Sequence, residues 1–277
     1  MTTSSLFSMV FAALALGGRP APRRLAEAAR PPAPQAARRN RPADVLARAI
    51  RSRDMWRRGR EKLMLNDFGE LGRFRAANAA LPPPASGEKR VVFFGDSITE
   101  GWPLDQFFPG RPYVNRGIGG QTTSQALVRF RQDVIDLKPS AVVILLGTND
   151  IAGNTGAISV TDIEKNLASM AELARAHDIA VVFSSVTPVH DYTPQSEIAF
   201  PLRPPATIQQ LNEWLKAYCA EGGGTYLDYF TALIDGAGLM RVELAADGLH
   251  PNHKGYELMT PLAEAAIQRA LAHASVR

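Results

Sequence analysis

Val91-Val92-Phe93-Phe94-Gly95-Asp96-Ser97-Ile98-Thr99-Glu100-Gly101 is the stretch that decides the fold. Its first four residues are apolar without alternation, which suits a strand buried on both faces of a sheet. Glycine at 95 lets the backbone turn sharply with no Cβ clash, so Ser97 emerges at the carboxyl end of that strand. Downstream the chain keeps alternating. Short apolar runs at 113–115, 141–146, 180–185 and 225–227 read as strands. Between and after them, 123–137, 163–177, 208–220 and 253–273 carry apolar residues at helical spacing. In the first of these helices Ala126, Leu127, Phe130, Val134 and Leu137 share one face. Apolar strands alternating with helices predict an α/β protein with a five-stranded parallel sheet. Right-handed crossovers cover both its faces and make a three-layer α/β/α sandwich. Ligands of such sheets bind beyond the carboxyl ends of the strands.

Upstream of Val91 the composition changes. Residues 1–60 hold thirteen Arg and no Lys against Glu27, Asp44 and Asp54, a balance of +10. The other 217 residues hold 18 basic and 24 acidic side chains, a balance of −6. The basic excess of the chain is therefore confined to its first part, and the mildly acidic remainder argues against a nucleic-acid partner. Leu6 to Leu16 is an apolar run of signal-peptide length followed by Gly17 and Gly18, which points to export, periplasmic or secreted. No Lys or Arg precedes the run, so a disordered leader on a cytoplasmic protein is the other reading. Residues 1–43 as a whole read as this leader followed by a disordered Arg/Pro-rich segment. Residues 44–87 read as a helical arm and linker, with Met55, Trp56, Leu63, Leu65, Phe68, Leu71 and Phe74 at spacings of three and four. Leu81-Pro82-Pro83-Pro84 stops the arm. No run of 18 apolar residues exists to span a membrane. Cys219 is the only cysteine, which excludes an intrachain disulfide, and it reads as a small buried apolar residue.

A serine at a strand end is a poor nucleophile without a base. Asp247-Gly248-Leu249-His250-Pro251 offers one: a carboxylate three residues before a histidine, on a tight turn, can hold one imidazole nitrogen while the other faces the serine. The same pair could cap the last helix. A metal would want more ligands than nearby His253 supplies, so no metal and no cofactor is expected. Acyl transfer also needs donors for a developing oxyanion. Asn115-Arg116-Gly117-Ile118-Gly119-Gly120-Gln121 and Gly147-Thr148-Asn149-Asp150, at the next strand ends, offer backbone N–H groups and a side-chain amide. Read singly, each is an ordinary turn. Thr122 stands where a dinucleotide fingerprint needs its last glycine, no phosphate-loop pattern occurs, and the lipase elbow G-x-S-x-G is missing.

Taken together, G-D-S, N-x-G-x-G-G, G-T-N-D and D-x-x-H occur in this order, and over about residues 88–270 the chain resembles the SGNH hydrolases, or GDSL lipases and esterases. The resemblance makes 88–277 the hydrolase domain and implies a flavodoxin-like fold with strand order 2-1-3-4-5. It implies Ser97 as nucleophile, His250 as base and Asp247 as its orienter, with the Ser97 and Gly120 N–H groups and the Asn149 amide as oxyanion hole. Ile98 replaces the usual Leu of GDSL. The implied activity is a serine esterase acting through an acyl-enzyme. Its rate should rise as an imidazolium, ordinarily titrating near about 6.5, loses its proton. Without a long apolar lid the site suits short acyl groups, with O-acetyl groups on a carbohydrate or small molecule as the expected ester. A lysophospholipase or thioesterase acting on longer chains, or an inactive carbohydrate-binding module, are the alternatives. Asp96, Trp102, His190 and Tyr192 are candidate substrate contacts, as are Phe200 and Arg203 in the Pro-rich loop 187–205. Trp102 could equally pack beneath the first helix.

Overall fold

The computed structural model describes residues 42–274. Nearly all of the expected leader and Arg/Pro-rich segment lies outside the described residues. Its last two positions open helix α1 (Pro42–Asn66), with proline where a helix tolerates it best. The expected arm is broken in two. After α1 the Asp67 carboxylate accepts from the backbone N–H groups of Leu71 (2.8 Å) and Gly72 (3.0 Å), and Glu70 takes a left-handed conformation. The chain turns there and resumes as α2 (Arg75–Ala80) before the prolines.

The sheet comprises β1 (Val91–Gly95), β2 (Tyr113–Gly117), β3 (Ala141–Leu145), β4 (Ala180–Ser184) and β5 (Thr225–Leu227). All pairings are parallel, in the order β2-β1-β3-β4-β5. The remaining helices follow the strands. They are α3 (Ser97–Glu100), α4 (Leu104–Phe107), α5 (Thr123–Asp133), α6 (Thr148–Ile151), α7 (Val160–Arg175), α8 (Pro205–Tyr218), α9 (Phe230–Leu233) and α10 (His253–Ala274).

Strand side chains alternate between two cores. Val92, Phe94, Val142, Ile144, Val181 and Phe183 face α5, α7 and α8, whose Phe130, Leu167, Met170 and Leu211 are wholly or almost wholly buried. Val91, Phe93, Val143, Leu145 and Val182 face α10, where Met259, Ala263, Ala266 and Ile267 have no exposed surface. Burial on both faces is what makes the strands apolar throughout. Cys219 is buried just past α8, as expected. Among the described residues, no helix is long and apolar enough to cross a membrane. The register aligns Gly95 with Gly117 and with Leu145, so the loops after β1, β2 and β3 leave the sheet at one level.

Candidate active site

Ser97 stands two residues beyond β1, as the first residue of the single turn α3. Asp96 caps that turn, its Oδ1 accepting from the Ile98 N–H at 3.0 Å. Gly95 works differently from the expected sharp turn. A β-carbon there would press on Thr99 and lie 2.6 Å from the Leu145 carbonyl oxygen, so glycine serves close packing between strand and turn.

The turn ahead of α10 brings its histidine to the same edge. Asp247 Oδ1 accepts from the N–H groups of Leu249 (3.0 Å) and His250 (2.9 Å), which shapes the loop around the carboxylate. Asp247 Oδ2 lies 2.6 Å from His250 Nδ1, and His250 Nε2 lies 2.9 Å from Ser97 Oγ. Burial pushes the Asp247 carboxyl up, but the bond and charge of His250, with the two backbone donors, outweigh it and hold it at about 2. The carboxylate is thus ionised and acceptor-only, so Nδ1 carries a proton and Nε2 is left to accept from the serine hydroxyl. An imidazole so held can take the hydroxyl proton as the oxygen attacks a carbonyl.

The groups expected as oxyanion donors stand in the segments after β1, β2 and β3. Among the described residues the backbone N–H groups of Ser97 and Gly120 have no protein partner. The Asn149 amide is engaged. Its Nδ2 donates to the Gln121 carbonyl at 3.1 Å and, more loosely, to Asp96 Oδ2 at 3.3 Å. An oxyanion would have to draw the amide from the looser of these. Its Oδ1 accepts from Asn154 Nδ2 and from Arg203 Nη2, both at 3.1 Å, which fixes which way the amide faces.

The expected substrate contacts fare differently. Asp96 is fully buried beneath Ser97. Trp102 is 2% exposed and packs against Phe93 and Tyr256, with ring centroids 5.6 and 5.1 Å away, so it supports α3 from below instead of lining a mouth. His190 is wholly buried: its Nδ1 accepts from the Tyr192 N–H (3.2 Å) and its Nε2 donates to the Ala245 carbonyl (2.6 Å). It ties the loop after β4 to the turn carrying Asp247. These three side chains have almost no surface to offer a ligand. Tyr192 is exposed, its hydroxyl donating to Asp235 at 2.5 Å. Arg203 is buried as well, donating from Nε to Thr148 Oγ1 (2.9 Å) and from Nη1 to the Ala199 carbonyl (3.1 Å) besides holding Asn149. It positions the amide, a role that an arginine in a Pro-rich loop does not announce in sequence. Glu100 was also missed: its Oε2 accepts from the Gly119 N–H at 2.8 Å, beside Gly120. Among the described residues no three His, Cys, Asp or Glu side chains gather as a cation would require.

The profile of the GDSL-like lipase/acylhydrolase family matches residues 93–258. The chain belongs to that family. The family is one of GDSL-like lipases and acylhydrolases. A solved GDSL-like lipase from Bacteroides thetaiotaomicron is 42% identical, with a TM-score of 0.68 over 73% of this chain and 99% of that one. Two curated relatives match in part. The uncharacterized lipoprotein YqeF of Bacillus subtilis is 34% identical over 37% of this chain and 50% of its own length. Esterase TesA of Pseudomonas aeruginosa is 30% identical over 50% of this chain and 60% of its own. The GDSL-like chain thus spans only 50% and 60% of those two curated proteins.

Proposed function

We propose that the protein is a serine esterase that hydrolyses short-chain carboxylic esters, O-acetyl groups on a carbohydrate or small molecule foremost, through an acyl-enzyme on Ser97. The observation that carries this reading is the continuous line Asp247–His250–Ser97, with steps of 2.6 and 2.9 Å. Ser97 Oγ attacks the ester carbonyl as His250 Nε2 takes its proton, and Asp247 stabilises the imidazolium. Negative charge gathers on the carbonyl oxygen beside the Ser97 and Gly120 N–H groups and the Asn149 amide, each such donor being worth about 3–4 kcal/mol in the transition state. Collapse expels the alcohol, protonated by His250. A water then repeats the sequence on the acyl-enzyme and frees the acid and the serine.

Replacing Ser97 with alanine tests the assignment. Hydrolysis of p-nitrophenyl acetate should fall by at least about a thousandfold, the scale on which nucleophile removal acts in serine hydrolases. A fluorophosphonate probe should label the wild type and not the variant. Turnover by the variant close to that of the wild type would refute the reading.

We further infer export. The apolar run Leu6–Leu16 supports it, as does similarity to a relative named as a lipoprotein. N-terminal sequencing of the native protein should find the leader gone, and an intact first residue would rule this out.

A further inference from the structure

Helix α1 lies outside the span that the family profile matches, yet it reaches the edge of the sheet where Ser97 stands. It is tied to the loops after three strands. Arg48 pairs with Glu197, in the loop after β4, at 2.6 Å. Arg53 donates to the Ala152 carbonyl, just past Asn149, at 3.3 Å. Between these ties and the helix end, Trp56 covers Gly120, in the loop after β2. A β-carbon at Gly120 would lie 2.9 Å from Trp56 Cη2 and nearer still to Cζ2, so the indole rests directly on the glycine backbone. Gly120 has a positive φ of 78° and only glycine leaves room for the ring.

The indole is not free to swing aside. Arg60, one helical turn on, stacks over it with its guanidinium carbon 5.1 Å from the ring centroid. Arg60 is in turn paired with Glu70. The Glu70 carboxylate also accepts from Gln121 Nε2 at 3.4 Å, so the backing of the ring is linked to the residue after Gly120.

The reaction geometry says which part of an ester meets this ring. The leaving alcohol must receive a proton from His250, so it lies on the His250 side of the carbonyl carbon. The oxyanion points at the Ser97 and Gly120 N–H groups. The acyl group is then directed away from His250, and Trp56, resting on Gly120 beside the oxyanion donors, is the α1 side chain placed to meet it. We propose that Trp56 is a specificity-determining residue: its indole closes the acyl side of the site and restricts the enzyme to short acyl groups. This rests on the Ser97 acyl-enzyme reading and adds the residue that sets chain length.

The experiment compares kcat/KM for p-nitrophenyl octanoate and p-nitrophenyl acetate in the wild type and in Trp56→Ala, Trp56→Leu and Trp56→Phe. Removing a pocket wall changes discrimination by a few methylenes' worth of binding, so the octanoate-to-acetate ratio should rise roughly 10- to 100-fold in Trp56→Ala. It should rise less in Trp56→Leu and stay near the wild-type value in Trp56→Phe. A ratio unchanged across the series, or one that falls as the side chain shrinks, overturns the proposal. So does an equal loss on both esters, which would mean the ring only supports the fold. Should the alanine variant fail to fold, the leucine and phenylalanine variants give the same reading. Fluorophosphonate labelling of the wild type separates the two claims. A labelled enzyme with an unmoved ratio sinks only the role of Trp56, whereas an unlabelled, inactive wild type sinks the serine mechanism and this inference with it.

Discussion

Burial raises the Asp96 carboxyl to about 6, against the pull of the Ile98 N–H, His250 and Arg203. Between about pH 4 and 6 the folded chain therefore holds a proton there that an unfolded chain has already released. Raising the pH through that window must lower stability, by about 3 kcal/mol in full at 1.36 kcal/mol per pK unit. Asp96→Asn keeps the acceptor for Ile98 and removes the ionisation. Its unfolding free energy, followed by urea denaturation at a series of pH values, should lose this part of the decline. A variant whose curve runs parallel to the wild type from pH 4 to 7 would show that Asp96 does not titrate there. Arg203 has the complementary position: burial draws it down to about 10 while Asp96 and Asp247 hold it up. The two side chains meet at Asn149, whose amide is pinned from both ends.

The elements of the sheet were legible because each is an apolar run bounded by turn residues, and β3, β4 and β5 fall within a residue of the expected bounds. The residues brought together at the strand ends were legible for the same reason: three of the motifs span or directly follow the end of a strand and the fourth lies just before α10. What the pattern could not give were elements too short to have a period. The four-residue helices α3, α4, α6 and α9 make about one turn each, and one turn carries no face. The helix expected over 123–137 stops at Asp133 because Val134 leaves helical φ/ψ, and a 3₁₀ turn, Ile135–Leu137, ends on left-handed Lys138. The arm misled for a related reason. Its apolar residues fit helical spacing on both sides of Asp67, but backbone capping by that carboxylate breaks the run, and periodicity does not see caps. Nor does it say where a helix docks. Trp56 was one more apolar residue in the arm until its neighbours were known.

Arg129 holds the molecule's two halves of the site edge in register, and no sequence pattern marks it, for it shares α5 with the apolar face of Ala126 and Phe130. Its side chain is fully buried. It donates to the carbonyls of Gly95 (3.0 Å) and Arg116 (2.9 Å), at the ends of β1 and β2, and to Gln121 Oε1 (2.6 Å). It also pairs with Asp133 at 3.1 Å and stacks on Phe94 at 4.1 Å. Replacing it with leucine leaves the buried Asp133 carboxylate without its ion pair, with only the Asn78 amide (2.6 Å) still donating to it, which should cost about 3–5 kcal/mol. The double variant Arg129→Leu/Asp133→Leu should recover part of that loss. Chemical denaturation reads both, and a single variant within about 1 kcal/mol of wild type would remove Arg129 from this account.

The 153 positions separating Ser97 from His250 have a consequence during synthesis. A ribosome releases the hydroxyl first and its imidazole only after β2, β3, β4 and β5 have followed. On the proposed mechanism, until the segment beyond β5 emerges the nascent serine is an ordinary alcohol, harmless to whatever esters surround it.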